Sequence, residues 1–191
     1  MRRTNHFIII WLAMLVASSN VAWAFSPLSK SEAGRVVKKF CEKIVTAKLI
    51  ADPTNPNNAV NPVNPADLPE IYRQVVTSEV ADLYGRAVAR SEAVQAATGG
   101  KPVMGDRVWT GVPDATSTCL LGSISGTRNR PKVEIRYVLV GDTKSSVTDF
   151  LVLKKELGEW KVDDIIYNNG SKLGLRSILA KAISELIPAS Q

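Results

Sequence analysis

The order of hydrophobic and polar residues first follows the period of a helix. Over 29–51, and again over 69–97, apolar residues recur at steps of three and four, which is typical of helices with one buried face. Ser29 and Glu32 stand at the spacing of a capping box, so the first helix is predicted to begin there. A third stripe of this kind starts at Leu175 and predicts a C-terminal helix.

Between the second and third helical segments the pattern changes to period two. The segments 118–127, 132–140, 147–155 and 159–167 read as strands separated by short turns, and they predict an antiparallel meander of about four strands. Two helices followed by a meander and one more helix indicate an α+β domain in which helices cover one face of the sheet. The stretch 52–69 is rich in asparagine and proline, and we predict an exposed loop there.

The N-terminus has the three parts of a secretory signal peptide. Arg2 and Arg3 precede an uninterrupted apolar run over 7–17, and the small residues of Ala22-Trp23-Ala24 follow it. A bilayer-spanning helix needs about 20 apolar residues, so the run is too short for a membrane anchor. We predict cleavage after Ala24, export to the periplasm and a single domain over 25–191.

Composition narrows the classes of function. The chain has 191 residues, of which 45% are hydrophobic and 22% charged, and these values are ordinary for a globular domain. The formal charge is +6, or +4 without residues 1–24, and it is spread along the chain, so no nucleic-acid partner is predicted. His6 is the only histidine and lies in the predicted signal peptide. The domain therefore lacks the usual ligands of a zinc site, no cofactor motif is present, and we predict neither a metal nor a cofactor.

The two cysteines are predicted to form a disulfide. Cys41 lies in the first helix and Cys119 at the start of the first strand, and an oxidising compartment favours their pairing. The alternative is two buried thiols, because free cysteine packs as a small apolar residue.

The last predicted strand carries a family resemblance. The residues Gly158-Glu159-Trp160-Lys161-Val162-Asp163-Asp164-Ile165 resemble the "G-x-W-K-I-x-x-I" signature of nuclear-transport-factor-2-like, or cystatin-like, cone domains. With the leader and the helices, the chain looks like a branch of small bacterial periplasmic proteins and lipoproteins of unknown function, although it lacks their lipid-acceptor cysteine. The resemblance implies a curved sheet that wraps helices, often with a pocket, and a tryptophan in the core. It implies no particular reaction.

A strand register follows from the turns and suggests a pocket. If Leu157-Gly158 is a two-residue turn, Leu151 opposes Asp164, and the next hairpin places Arg136 opposite Leu151. Arg136, Asp149 and Asp164 then share a face with Trp160, Val162 and Ile166. Trp109 and Tyr137 are further candidates for the lining, although a tryptophan in a loop between glycines more often plugs the edge of the core than forms a binding platform. A structural ion network or an exposed sheet face are the alternatives.

The same register puts Trp160 against the helices and Lys161 on the opposite face, so we expect Trp160→Ala to be strongly destabilising and Lys161→Ala nearly neutral.

These observations favour a non-catalytic binding module whose partner is an envelope protein or a small ligand. A small hydrolase or isomerase that uses Asp149 or Asp164 as its base is one alternative. A periplasmic immunity protein against a delivered toxin is another. A carboxylate at the bottom of a closed apolar pocket favours the enzyme, whereas a filled sheet concavity with polar rims favours the binding module.

Overall fold

The computed structural model describes residues 27–50, 63–101, 104, 108–112, 114–168 and 173–186. The predicted signal peptide over 1–24 and much of the asparagine- and proline-rich loop lie outside the described residues. Within those ranges, no helix combines the length and the apolar character needed to cross a bilayer.

The described residues form an α+β domain, as predicted. The helices are α1 (Lys30–Phe40), α2 (Pro69–Tyr72), α3 (Ser78–Thr98) and α4 (Leu175–Ser184), and the strands are β1 (Thr116–Gly126), β2 (Pro131–Leu139), β3 (Val147–Glu156) and β4 (Glu159–Tyr167). The strands form one antiparallel sheet in the order β1-β2-β3-β4, so the predicted meander is confirmed. The helices pack on one face of this sheet, where the fully buried side chains include Val133, Ile135, Leu151, Leu153 and Ile165.

The first helix begins where its capping box predicts and ends early. The Glu32 N–H donates to Ser29 Oγ at 3.2 Å, and the Ser29 N–H donates to the Glu32 carboxylate at 2.9 Å. After α1 the chain makes one π-helical turn, Cys41–Val45, and leaves the helix at Thr46. The predicted helix over 29–51 therefore ends earlier than its apolar pattern suggests, in a wider, π-helical turn.

The second predicted helix, over 69–97, is divided into α2 and α3. Between them the backbone pairs with the edge of β4, where the Thr77 N–H donates to the Val162 carbonyl at 2.9 Å and the Val162 N–H donates to the Val75 carbonyl at 3.0 Å. Val75 and Val76 fit the helical apolar pattern, but they are buried at this contact with the edge of β4 and do not belong to a helix. The Thr77 side chain then accepts from the Val80 N–H and starts α3.

A bulge in β4 corrects the predicted register. The hairpin pairs Glu156 with Glu159 and continues as predicted to Leu153 and Val162, but the next pair is Val152 with Asp164. Asp163 is the extra residue, and Leu151 consequently opposes Ile165 instead of Asp164. Beyond the bulge the alternation is inverted, which places Ile165 and Tyr167 in the core.

The β2–β3 register also differs from the prediction. Arg136 opposes Thr148, and the predicted pairing of Arg136 with Leu151 is wrong. The connection is longer than a turn over 141–146, because the last pair of the ladder is Tyr137 with Val147 and the Ser146 N–H closes it onto the Tyr137 carbonyl at 3.3 Å.

Cys41 and Cys119 are joined by a disulfide, as predicted. The bond ties the π-helical turn to β1 and closes a loop between residues 78 positions apart. It fixes the end of the first helix against the edge strand of the sheet.

Candidate functional site

The register separates the residues of the predicted pocket. Asp149 and Tyr137 lie on the core face of the sheet and are fully buried, whereas Arg136 lies on the outer face and is exposed. Asp164 follows the bulge and lies beside the start of α4. Arg136, Asp149 and Asp164 therefore do not share a face, and the predicted grouping is wrong for two reasons. Arg136 pairs with Thr148 instead of Leu151, which separates it from Asp149, and the extra residue in β4 separates Asp164 from Asp149.

Arg136 forms an ion pair on the outer face of the sheet. Its Nε and Nη2 donate to the two oxygens of Glu134, each at 3.0 Å. Glu134 also accepts the Ser123 N–H at 2.8 Å, at the place where β1 has a bulge. The pKa of Glu134 is lowered from its usual 4.5 to about 2, mainly by the hydrogen bonds from Arg136 and secondly by the one from the Ser123 N–H. This pair holds the bulge of β1 on the outer face, away from any pocket of the core.

Asp149 is a buried carboxylate with both oxygens occupied. Its Oδ2 accepts the Gly111 N–H at 2.7 Å and its Oδ1 accepts the Asn168 N–H at 3.0 Å. A Cβ at position 111 would lie 2.7 Å from Asp149 Oδ1, so only glycine lets the backbone approach this closely. Asp149 thereby joins the segment 108–112 to the end of β4.

Two buried tyrosines lie beside Asp149. Burial raises the pKa of Tyr137 well above its usual range, and the adjacent carboxylate raises it further. Among the described residues the Tyr137 hydroxyl has no hydrogen-bond partner. The Tyr167 hydroxyl donates to the Val108 carbonyl, and burial raises the pKa of Tyr167 as well. Both phenols are therefore protonated at neutral pH and do not act as bases.

Asp163, which the sequence did not single out, is the centre of a charged network. Its carboxylate accepts from Arg176 at 2.6 Å, from Arg130 at 2.7 Å and from the Thr77 hydroxyl at 3.1 Å. Arg176 also donates to Glu79 at 2.9 Å, and this bond lowers the pKa of Glu79 to about 2. The network joins the bulge of β4 to α3, α4 and the β1–β2 turn, and it has the form of the structural ion network weighed as an alternative to a pocket.

Asp164 caps the C-terminal helix. Its Oδ1 accepts the Arg176 N–H at 3.0 Å and the Ile165 N–H at 2.8 Å. The residue that precedes α4, Gly174, has no side chain to cap it, so a carboxylate from β4 takes this place and also complements the helix dipole.

An open cleft lies between the π-helical turn and the segment that leads into β1. Its volume is about 310 Å³. Trp109, one of the residues predicted to line a pocket, forms part of its wall. The other lining residues are Ile44, Val45, Thr46, Ala47, Leu49, Asn64, Thr110, Val112, Asp114, Ala115 and Thr116. We refer to this space as the Trp109 cleft.

The wall of the Trp109 cleft is held rigidly by aromatic packing. Trp109 is 5% exposed, and its ring lies 4.6 Å from that of Tyr84 and 6.1 Å from that of Tyr72, between centroids. The Tyr84 hydroxyl donates to Asp67 at 2.6 Å, and this hydrogen bond holds Tyr84 in the aromatic cluster. Trp109 is the only signal for this cleft in the sequence, because neither the π-helical turn nor the irregular segment before β1 has a recognisable pattern.

A second depression surrounds Trp160, which is half-buried. It has a volume of about 320 Å³ and lies between α1 and the β3–β4 turn, with Glu32, Arg35 and Lys39 on its helical side. Lys155 Nζ lies 5.6 Å from the Trp160 ring centroid. Trp160 packs against the helical core as predicted and is partly buried.

Lys161 lies on the face of β4 opposite to that of Trp160, and it makes more hydrogen bonds than predicted. Its Nζ donates to the Arg73 carbonyl and to Glu156, each at 3.2 Å, and its side chain is 17% exposed.

No match to this chain is found among protein-family models, curated proteins or solved structures. Across the part of the chain that the structure describes, no three His, Cys, Asp or Glu side chains lie close enough together to hold a metal ion.

Proposed function

We propose that this protein is an exported binding module that takes a small ligand in the Trp109 cleft. The observation that carries the proposal is the cleft itself, an open space of about 310 Å³ with a buried tryptophan in its wall. Ligand sites in proteins have volumes of roughly 300–1,000 Å³ and combine apolar walls with a few polar groups. The Trp109 cleft lies at the small end of that range.

The lining indicates the chemistry of the ligand. Ile44, Val45 and Val112 supply apolar surface, while Thr110 and Thr116 supply neutral hydroxyl groups. Among the described residues, Asp114 is the one charged residue in the lining. A small ligand with an apolar part and hydroxyl or amide groups, neutral or weakly cationic, matches this set.

The contacts of the sheet carboxylates favour binding over catalysis. A general base must lie within hydrogen-bond distance of the proton that it abstracts from the substrate. Asp149 has no solvent exposure and accepts a backbone N–H on each oxygen, Asp163 accepts three side-chain donors, and Asp164 caps α4. Each of the three carboxylates therefore has a structural role.

The disulfide supports export. Cys41 and Cys119 are bonded, and such bonds persist in oxidising compartments such as the bacterial periplasm. The signal-peptide pattern over 1–24 points to the same destination.

A nuclear-transport-factor-2-like cone domain is our proposal for the fold family. A four-strand antiparallel meander with helices on one face, a tryptophan at the start of the last strand and a C-terminal helix support it.

Native mass spectrometry tests the binding proposal. The protein is purified without denaturant, and its mass is compared with that of Ala115→Trp, which fills the Trp109 cleft, and of Ala93→Trp, which adds the same side chain to an exposed position of α3. Wild type and Ala93→Trp are expected to carry the same small non-covalent adduct, and Ala115→Trp to lose it. An adduct that survives in Ala115→Trp, or wild-type protein that carries none, contradicts the proposal.

A further inference from the structure

One edge of the sheet is covered, and the other is not paired with any of the described residues. The outer edge of β4 pairs with the backbone of Val75 to Thr77 and with Gly174. Strand β1 is the last strand at the other side of the sheet, and none of the described residues pairs with its outer edge. An edge strand presents a row of unpaired N–H and C=O groups that another strand can bind.

Strand β1 lacks two of the features that often protect such an edge, charged side chains and proline. Its sequence, Thr-Ser-Thr-Cys-Leu-Leu-Gly-Ser-Ile-Ser-Gly, contains no charged residue and no proline. The other three strands each carry at least three charged residues, although they lie inside the sheet or at its covered edge. Leu120 and Ile124 of β1 are 47% and 38% exposed. Within the described part of the chain, the strand whose outer edge is unpaired is therefore the one that repels another strand least.

The irregularities of β1 limit the pairing to its centre. Bulges interrupt the ladder between Thr116 and Thr118 and between Leu121 and Ile124, which leaves Thr118–Leu121 as the regular stretch. At the second bulge Glu134 binds the Ser123 N–H, and a Cβ at Gly122 would lie 2.4 Å from the same carboxylate. The bulge is thus held in place by its own contacts, and Leu120 stands in the middle of the regular stretch.

We infer that β1 is a dimerisation strand, which pairs antiparallel with β1 of a second copy about a two-fold axis at Leu120. An antiparallel pair about such an axis brings like faces together, so the two exposed Leu120 side chains meet on the outer face. The ends of the strand carry opposite charges, since Asp114 precedes β1 and Arg128 follows it. Antiparallel pairing sets the acidic end of each copy beside the basic end of the other. The result is one continuous sheet of eight strands, and this inference does not depend on the proposed ligand.

Charge substitutions at Leu120 test the inference. The oligomeric state of the purified protein is measured by sedimentation velocity for wild type, Leu120→Lys and Leu120→Glu. Leu157→Lys is the matched control, because Leu157 is an exposed leucine at the β3–β4 turn, 98% accessible. We expect wild type and Leu157→Lys to be dimers at high micromolar concentration. Either Leu120 variant alone should dimerise at least tenfold more weakly, because two like charges then face each other across the axis.

A mixture of the two Leu120 variants distinguishes this interface from any other. If Leu120 meets Leu120, an equimolar mixture of Leu120→Lys and Leu120→Glu regains the dimer, because the opposed charges attract. Far-ultraviolet circular dichroism and an intact disulfide establish that each variant is folded. A monomeric wild type, a dimer that both charged variants preserve, a mixture that stays monomeric, or open-ended polymers overturn the inference.

Discussion

Replacement of Asp149 by asparagine tests most sharply whether the buried carboxylate has a structural role. The change keeps the size and shape of the side chain, removes its charge and converts one acceptor oxygen into a donor NH₂ group. Either the Gly111 or the Asn168 N–H, now bonded at 2.7 and 3.0 Å, must then face a donor. One charge-assisted hydrogen bond is lost and one N–H is left without an acceptor.

The size of the effect follows from these two bonds. A hydrogen bond to a charged group contributes about 1.5–3 kcal/mol, and a buried donor left unpaired costs about 1–3 kcal/mol. Relief from the burial of a charge offsets part of this cost. We expect the free energy of unfolding to fall by about 2–3 kcal/mol, out of the roughly 5–15 kcal/mol of a typical domain.

Urea unfolding followed by far-ultraviolet circular dichroism measures this loss. Asp142→Asn is the matched control, since Asp142 is exposed in the β2–β3 connection and is expected to change stability by less than about 0.5 kcal/mol. Folded Asp149→Asn is expected to keep its ligand adduct. An Asn variant as stable as wild type that has lost the adduct would show that Asp149 belongs to a functional site, and the structural assignment would be wrong.

Three further predictions concern the disulfide, the last strand and acid stability. The double variant Cys41→Ser, Cys119→Ser should lower the free energy of unfolding by about 4 kcal/mol, because the bond closes a loop between residues 78 positions apart. Thermal unfolding under non-reducing conditions measures this loss. Trp160→Ala should lower the free energy of unfolding by about 2 kcal/mol, which is less than the ~3–5 kcal/mol for a fully buried tryptophan. Lys161→Ala should lower it by about 1 kcal/mol. Urea melts measure both changes. The pKa of Glu134 is lowered from 4.5 to about 2 in the folded protein, so the stability that its carboxylate contributes is complete above pH 4.5 and is lost as the pH falls towards 2. In Glu134→Gln, the free energy of unfolding should therefore change less with pH between 4.5 and 2 than in wild type.

Each of these predictions has a result that would contradict it. Double-serine protein with wild-type stability would mean that the bond constrains little. A Trp160→Ala variant without any loss would place the tryptophan outside the core contact. An acid profile that Glu134→Gln leaves unchanged would show that the ion pair with Arg136 contributes nothing to folding.

Local signals predicted much of the fold. The capping box of Ser29 and Glu32 set the start of α1, and the Leu157-Gly158 turn set the β3–β4 hairpin, because both depend on residues next to each other in the chain. The disulfide was predicted because Cys41 and Cys119 are the only two cysteines and the leader indicated an oxidising compartment. The α+β order followed from the change of hydrophobic period.

Tertiary contacts decided what the sequence pattern missed. Asp163 bulges out of register where Arg176, Thr77 and Arg130 converge on its carboxylate, and none of these partners is its neighbour in sequence. The interrupted second helix has the same origin, because an apolar pattern does not reveal that Val75 pairs with the edge of β4.

The candidate site was only partly predictable for a related reason. Trp109 was singled out as a candidate for a pocket on the sheet, whereas the cleft whose wall it forms contains none of the other candidates. The opposite wall comes from a π-helical turn over 41–45, whose sequence continues the pattern of an α-helix. The prediction that Arg136, Asp149 and Asp164 share a face depended on two strand registers, and both differ: the β2–β3 ladder is shifted and β4 contains a bulge.

The emission of Trp109 tests binding in the cleft most directly. Trp109 and Trp160 are the only tryptophans after residue 24, so Trp109 is the single tryptophan reporter in Trp160→Phe protein that begins at residue 25. The small molecule released from wild type is titrated back into the stripped variant, with and without Ala115→Phe, which fills the cleft without adding a second tryptophan. The account predicts a saturable shift of the emission at one ligand per chain, which Ala115→Phe abolishes. Binding that leaves the Trp109 emission unchanged, or that persists in the filled cleft, would contradict it.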